Sequence, residues 1–422
     1  VQPSVLGGEL RVLGDKSIAH RALMLAALAD GTSHIRNLPA GEDVRSTAAC
    51  MRGLGAMVAA WDAEARVVSS GVLEPPQTDL DAGNSGTTMR LLAGILAGQP
   101  FHSCLDGDAS LRRRPMDRVI EPLSRMGAAI RSENGRAPLV IEGDELRPIS
   151  YRLPVASGQV KSAVLLAGLF ATGTTRVVEP VPARDHTERM LLATGVPVAR
   201  NGDTVSVEGG VQPAPFALSV PGDISSAAFF LAGAALTGGE LTIADVGINP
   251  TRTGFLDVLA RMGAEVEMTE ERQEAGEPAA TVRIRGACRR PVSIEPKEVP
   301  RLIDELPLVA LLATQAEGRS VVRGAAELRV KESDRIATVA TQLGRLGAEI
   351  KEHADGFTVR GPSRLTGATV ESGGDHRLAM LLAIAGCVAA GETIVEGAEA
   401  SAVSYPRFER ALAGVGGRID VI

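Results

Sequence analysis

The sequence predicts an α/β protein of two domains, each made of three repeated α/β units around buried helices. Two patterns in the 422-residue chain carry this reading. First, a glycine-rich or polar opening runs into an apolar stretch six times: Gly14-Asp15-Lys16-Ser17, Gly83-Asn84-Ser85-Gly86-Thr87, Ser157-Gly158-Gln159, Gly222-Asp223-Ile224-Ser225, Asp304-Glu305-Leu306 and Gly373-Gly374-Asp375-His376-Arg377. The openings recur about every 70 residues, as an internal structural repeat does. Second, the composition is 45% hydrophobic but only 3% aromatic, so the core is built of small and branched aliphatic residues that let helices approach closely.

The first unit shows the grammar of the rest. Ser17 is placed as the cap of a helix through Leu28 whose residues Ile18 to Ala27 are apolar on most sides, as a central helix requires. Asp30-Gly31 stops it, Thr32 to Ile35 reads as a strand, and Glu42-Asp43-Val44 begins a second, amphipathic helix. That helix ends in Gly53-Leu54-Gly55-Ala56-Met57-Val58. Related endings recur at Gly127, Gly195, Gly263, Gly347 and Gly416, where glycine permits a left-handed exit and the next apolar residues start a strand. Three such units per half would bury their apolar helices against one another with sheets facing outward. The midpoint lies near Val220-Pro221-Gly222, and Pro291 to Pro300 reads as a connection within the second half. No GxGxxG follows a strand, which argues against a dinucleotide-binding sheet.

The net charge of −7 and the pI near 5.6 oppose broad capture of nucleic acid, yet allow positive charge to be concentrated in a cleft. Cys50, Cys104, Cys288 and Cys387 are widely spaced with no CxxC, the pattern of reduced thiols in a cytoplasmic chain. The apolar stretches are broken before membrane-spanning length, and the start at Val1-Gln2-Pro3 has no basic region followed by an apolar core. No membrane or nucleic-acid partner is therefore expected. The six histidines show no zinc spacing, so no metal is expected. His20 reads as structural, whereas His186 and His376 are candidate functional histidines.

Helix N-termini expose unpaired N–H groups and the positive end of the helix dipole, and both attract anions. Here the apolar helices begin beside Lys16 and Arg21, then Arg90, then the neutral Gln159 with Lys161. Ser17 and Arg21 share a helix face. In Arg112-Arg113-Arg114-Pro115 one arginine is expected to turn inward before a proline-started helix, and the spacing does not say which. Glu327-Leu328-Arg329-Val330-Lys331-Glu332-Ser333-Asp334-Arg335 is the densest ionic string, with Arg335 suited to an anion and Glu332 to a proton. Asp304, just before an apolar helix, is placed to orient or deprotonate a hydroxyl.

These blocks resemble the 5-enolpyruvylshikimate-3-phosphate synthase family. The resemblance is carried by Leu13-Gly14-Asp15-Lys16-Ser17-Ile18-Ala19-His20-Arg21, Asn84-Ser85-Gly86-Thr87-Thr88-Met89-Arg90, Gly107-Asp108-Ala109-Ser110-Leu111-Arg112-Arg113-Arg114-Pro115-Met116, the string from Arg329 to Arg335, and Gly374-Asp375-His376-Arg377. It implies two inside-out α/β domains, residues 1–14 with 222–422 and residues 15–221, joined by two crossings and closing on a cleft. It implies transfer of the enolpyruvyl group of phosphoenolpyruvate to the 5-hydroxyl of shikimate 3-phosphate by addition and elimination, without a cofactor. Lys16, Gly86, Arg90, Arg114, Gln159, Arg335 and Arg377 are then expected at phosphoenolpyruvate. Lys16, Ser17, Arg21, Ser157, Gln159, Arg184, Asp304 and Lys331 are expected at shikimate 3-phosphate. Lys16, Asp304, Glu332 and His376 are expected to be catalytic.

Two departures stand out. Many members carry a lysine in the last repeat where this chain has Val403, and Gly158 replaces a second small polar residue. Gly86 leaves space in the phosphoenolpyruvate pocket, so glyphosate, the family's herbicide, is expected to compete there. The nearest rival, a UDP-N-acetylglucosamine enolpyruvyl transferase, usually has a cysteine where Ala109 and Ser110 stand. An RNA 3′-phosphate cyclase is opposed by the acidity of the chain. Internal repetition can complete both cores within one chain, so a monomer is expected.

Overall fold

Asp15 rather than Ser17 caps the first helix. Its carboxylate accepts the Ile18 amide at 3.0 Å from an extended backbone, so the helix begins two residues earlier than expected, at Lys16. Both residue types serve as caps, and only the backbone angles distinguish them. The computed structural model describes residues 1–59 and 63–421; residues 60–62 and 422, inside the expected domain ranges, lie outside the described residues. Its helices in chain order are α1 (Lys16–Leu28), α2 (Glu42–Gly53), α3 (Gly86–Ala97), α4 (Asp117–Met126), α5 (Gly158–Gly168), α6 (His186–Ala193), α7 (Ile224–Thr237), α8 (Gly254–Met262), α9 (Leu306–Ala313), α10 (Arg335–Arg345), α11 (His376–Val388) and α12 (Phe408–Gly414).

The chain divides into two compact units: an N-terminal unit of Gly14–Val220 with Gln273–Glu277, and a C-terminal unit of Val1–Leu13, Pro221–Arg272 and Pro278–Ile422. The odd-numbered helices are the apolar ones and are buried over most of their length. Ser85, Ser157, Asp223 and Asp375 cap α3, α5, α7 and α11 as Asp15 caps α1. In contrast, α9 has no side-chain cap and follows a 3-10 turn, Ile303–Glu305. In the N-terminal unit α3 packs on α1 and α5; in the C-terminal unit α7, α9 and α11 pack on one another. The α3–α5 approach depends on Gly94, because a Cβ there would stand 2.2 Å from the carbonyl oxygen of Ala163. Ala, Leu and Gly at these positions exchange bulky anchors for close backbone approach, which is what an aromatic-poor core permits.

Among the described residues the strands form six sheets, three per unit. Five are four-stranded and repeat one plan: a short strand runs parallel to the next, which pairs with an antiparallel hairpin. Leu80–Asp81 lies parallel to His102–Asp106, and Ser150–Arg152 to Thr174–Val178. The strand before α7, Ala217–Ser219, completes the first sheet of the N-terminal unit beside Asp30–Arg36, whereas Gly8–Arg11, the strand before α1, runs parallel to Leu241–Gly247 in the C-terminal unit. The sixth sheet is only Thr369–Glu371 beside Ile394–Glu396.

Gly55, Gly127, Gly195, Gly263, Gly347 and Gly416 all adopt positive φ, between 85° and 116°. A strand follows each of the first five. The last differs from expectation: among the described residues after Gly416 there is only an isolated bridge between Arg418 and Gln2. The Pro291–Pro300 segment also does more than connect, because Ser293–Ile294 within it pairs with Gly318–Val322. The helix after Pro115 begins at Asp117, preceded by a 3-10 turn at Leu111–Arg113.

Candidate active site

In the N-terminal unit the mouths of α3 and α5 converge on one cationic group. Of the three consecutive arginines, Arg112 and Arg113 are exposed and Arg114 is the buried one. Arg112 pairs with Asp106, while Arg114 donates to Asn84 Oδ1, and Asn84 in turn donates to Asp108 at 2.6 Å. Arg90 donates to Gln159 Oε1 at 2.8 Å and to the Pro115 carbonyl at 3.2 Å; the Gln159 amide nitrogen donates to Thr87 at 2.9 Å. A Cβ on Gly86 would stand 2.8 Å from Arg90 Nη1 and 3.3 Å from Arg114 Nη1. Gly86, Arg90, Arg114 and Gln159 therefore share one place, and two guanidinium groups there face the same backbone.

A second group gathers at α1, α5 and α6. Buried Arg21 donates at 2.7 Å to the Ser17 carbonyl, to Ser162 Oγ and to Thr187 Oγ1. Burial lowers its pKa to about 10, with Arg184 adding to the effect and Glu188, Asp15 and Glu277 opposing it, so it is charged at neutrality. Arg184 passes over the start of α5: a Cβ on Gly158 would be 3.1 Å from Arg184 Cβ and 3.3 Å from its carbonyl oxygen. This gives the departure at Gly158 a steric reason. Ser157 caps α5 through the Val160 amide, which limits the directions in which its hydroxyl can still act.

Lys16 is held by a residue that sequence reasoning treated only as a helix start. Its Nζ lies 2.8 Å from Asp43 Oδ2, in the first turn of α2. Nothing in the spacing of residues 16 and 43 signals this pair. His20 is structural: it is buried, and its Nδ1 lies 2.6 Å from Thr47 Oγ1, which lies 2.6 Å from Thr88 Oγ1. Burial lowers its pKa to about 3, aided by Lys16 and Arg21 and opposed by Asp43 and Asp15. His186 is buried with Nδ1 2.7 Å from Glu277 Oε1, within the N-terminal unit.

In the C-terminal unit Asp304, 8% exposed, stands among three cations. Lys331 Nζ is 3.4 Å and Arg335 Nη1 3.5 Å from Oδ1, and Arg377 Nη2 is 3.7 Å from Oδ2. Arg335 commits Nε to Asp375 at 2.8 Å and Nη2 to Glu332 at 2.6 Å. Burial opposes its charge, but Asp375, Glu332 and Asp304 outweigh that and hold its pKa above the ordinary value. Asp375 combines two tasks, capping α11 through the Arg377 amide and anchoring Arg335. Against the cost of burial, the guanidinium of Arg335 keeps its carboxyl below the usual range. Sequence reasoning had Asp375 within a motif without a role. His376 is the buried first residue of α11, and Val403 ends a 3-10 turn, Ala398–Val403, half-buried. Ordered arginines suit carboxylates and phosphates, and a carboxylate held among cations suits a hydroxyl as its acceptor.

The four cysteines are free thiols, three buried and Cys104 half-buried. Among the described residues no cluster of three or more His, Cys, Asp or Glu side chains is arranged for a metal, and no helix is long and apolar enough to cross a membrane.

A sequence profile of the EPSP synthase (3-phosphoshikimate 1-carboxyvinyltransferase) family matches residues 1–412. A Gloeobacter violaceus protein named 3-phosphoshikimate 1-carboxyvinyltransferase is 54% identical over 417 residues, covering 97% of this chain and 96% of that protein. One of the same name from Bacillus thuringiensis is 51% identical over 415 residues, 97% of each chain. A solved EPSP synthase from Acinetobacter baumannii superposes with a TM-score of 0.89 at 42% identity, over 99% of this chain and 97% of its own. These names favour the shikimate reading over the nucleotide-sugar one. With a match over nearly its whole length and the charged motifs folded into ordered clusters, the chain belongs to the EPSP synthase family.

Proposed function

We propose that this chain transfers the enolpyruvyl group of phosphoenolpyruvate to the 5-hydroxyl of shikimate 3-phosphate and releases phosphate. The observation that carries the reading is Asp304, a buried carboxylate within 3.4 to 3.7 Å of Lys331, Arg335 and Arg377, in a chain of this family. Protonation of the vinyl carbon makes its neighbour electrophilic, the hydroxyl adds there, and the tetrahedral intermediate loses a proton and phosphate. Asp304 accepts the hydroxyl proton, while Lys16 and Glu332 manage the proton at the vinyl carbon and His376 supports them. Lys16, Arg90, Arg114, Gln159, Arg335 and Arg377 hold phosphoenolpyruvate beside Gly86 and offset the charge that develops as phosphate leaves. Arg335, already bound to Asp375 and Glu332, offers Nη1 and at the same time orients both acids. Lys16, Ser17, Arg21, Ser157, Gln159, Arg184, Asp304 and Lys331 bind shikimate 3-phosphate.

In this reading both units are inside-out α/β domains that close on the substrates, and the protein works as a cytoplasmic monomer. The buried odd-numbered helices and the repeated sheet plan support the architecture. Phosphate release with phosphoenolpyruvate is measured with shikimate 3-phosphate and, separately, with UDP-N-acetylglucosamine. Release is expected with the first, and turnover with the nucleotide sugar alone overturns the proposal.

A further inference from the structure

Lys161 is a fully buried cation one turn into α5, and the proposed reaction leaves it without a task. Its ammonium donates to Glu179 Oε2 at 2.9 Å and to the Ala183 carbonyl at 3.1 Å, and forms an ion pair with Glu188 Oε1 at 2.7 Å. Glu179 Oε2 also accepts the amide of Ala183 at 3.1 Å. Thus one lysine and one carboxylate hold both backbone polar groups of the residue immediately before Arg184. From the other side, the start of α5 at Gly158 abuts Arg184 itself. Ser162, the next residue after Lys161, is tied to Thr187 at 2.7 Å, and both hydroxyls carry Arg21. The segment Glu179–Glu188 is therefore latched onto α5 at several points, and the same segment carries Arg184 and, through Thr187, a bond to Arg21.

We propose that Lys161 is a positioning residue for shikimate 3-phosphate, acting by fixing the backbone that presents Arg184. The inference rests on the reading above that Arg184 binds that substrate. A buried ion pair adds little stability over apolar side chains of similar volume, because desolvation consumes the Coulombic gain. It does specify geometry, since an ammonium held by two acceptors and a second carboxylate accepts few alternative arrangements. Arg184 and Arg21 carry like charges, and the pairing of Glu179 and Glu188 with Lys161 opposes a shift of the loop that lies between those two acids. Lys161 holds that loop from the protein interior.

The test uses the full-length chain with both substrates varied in steady state. Lys161→Met takes the buried ammonium away from Glu179 and Glu188, which keep their pairing with half-exposed Arg200, so the charge-balanced Lys161→Met/Glu188→Gln variant accompanies it. The expected result is a rise of roughly 10-fold in KM for shikimate 3-phosphate, with kcat and KM for phosphoenolpyruvate within about 3-fold of the parent. Arg184→Ala is expected to raise the same KM, and adding the lysine change to it is expected to raise it no further. An unchanged KM in Arg184→Ala overturns the substrate reading and the proposal with it. An effect of Arg184→Ala that the lysine variants do not share, or that multiplies with theirs, overturns the proposal alone. A charge-balanced variant that does not fold also overturns it, because Lys161 would then serve the fold rather than the site.

Discussion

At the scale of single residues, the site is made by side chains whose neighbours hold them still. Asp304 is the sharpest case: three cations surround it, and a neutral amide of the same shape would keep its space while losing its ability to take a proton. Asp304→Asn is expected to lower kcat by roughly 100-fold or more, with KM for both substrates within an order of magnitude. Steady-state phosphate release checks this, and an unchanged kcat removes Asp304 from proton transfer. Gly86 tests the opposite property, absence of atoms. A Cβ there meets Arg90 Nη1 at 2.8 Å and Arg114 Nη1 at 3.3 Å, so Gly86→Ala displaces the two guanidinium groups. KM for phosphoenolpyruvate is expected to rise roughly 10-fold with little change for the other substrate. Glyphosate inhibition should be relieved by phosphoenolpyruvate in the parent and weakened in the variant; inhibition indifferent to phosphoenolpyruvate contradicts that placement. Cys104, by contrast, has its thiol pushed up to about 11 by burial and by nearby Asp79, and is protonated at neutral pH.

At the scale of elements, the mouths of the odd-numbered helices are joined by polar chains as well as by packing. His20 on α1, Thr47 on α2, and Thr88 and Ser85 at the start of α3 form one buried hydrogen-bonded row. Burial lowers the pKa of His20 to about 3, against about 6.5 in an unfolded chain. Between those values the unfolded chain binds more protons than the folded one, so this residue's contribution to stability is present above pH 6.5 and is lost as pH falls. At pH 5 the loss is about 2 kcal/mol. His20→Gln, which keeps a polar group toward Thr47, is expected to shrink the pH 7.5-to-5 difference in urea unfolding free energy by about that amount. Equal pH dependence in both proteins would show that the imidazole does not stay neutral when folded.

At the scale of the whole molecule, the first residues of the chain complete a unit whose other strands lie more than two hundred positions away. The Val1 amino group donates to the Thr393 carbonyl at 2.8 Å, Leu6 is fully buried, and Gly8–Arg11 runs in register with Leu241–Ala244. Leu6→Ala is expected to destabilise the protein by about 2 to 5 kcal/mol, as loss of a core leucine does. A chain starting at Val12 should be cleaved faster by protease within Leu241–Arg285, whose partner strand is gone. Unchanged cleavage there would mean that the strand contributes nothing to holding the sheet.

The sequence by itself determined the repeat, the alternation of apolar and amphipathic helices, and the glycine exits, because each follows from local periodicity and from backbone angles that only a few residue types adopt. It also named the charged residues at the helix mouths. Tertiary structure alone decided which partner each one has. Only packing shows that Arg114 is the inward arginine, that Asp43 holds Lys16, that Asp375 anchors Arg335, and that Lys161 lies between two glutamates. These pairs bring together residues from 18 to 40 positions apart, and no periodicity records such distances. The cap at Asp15 and the short last sheet were likewise settled by geometry, since the residue types at those places suit either outcome.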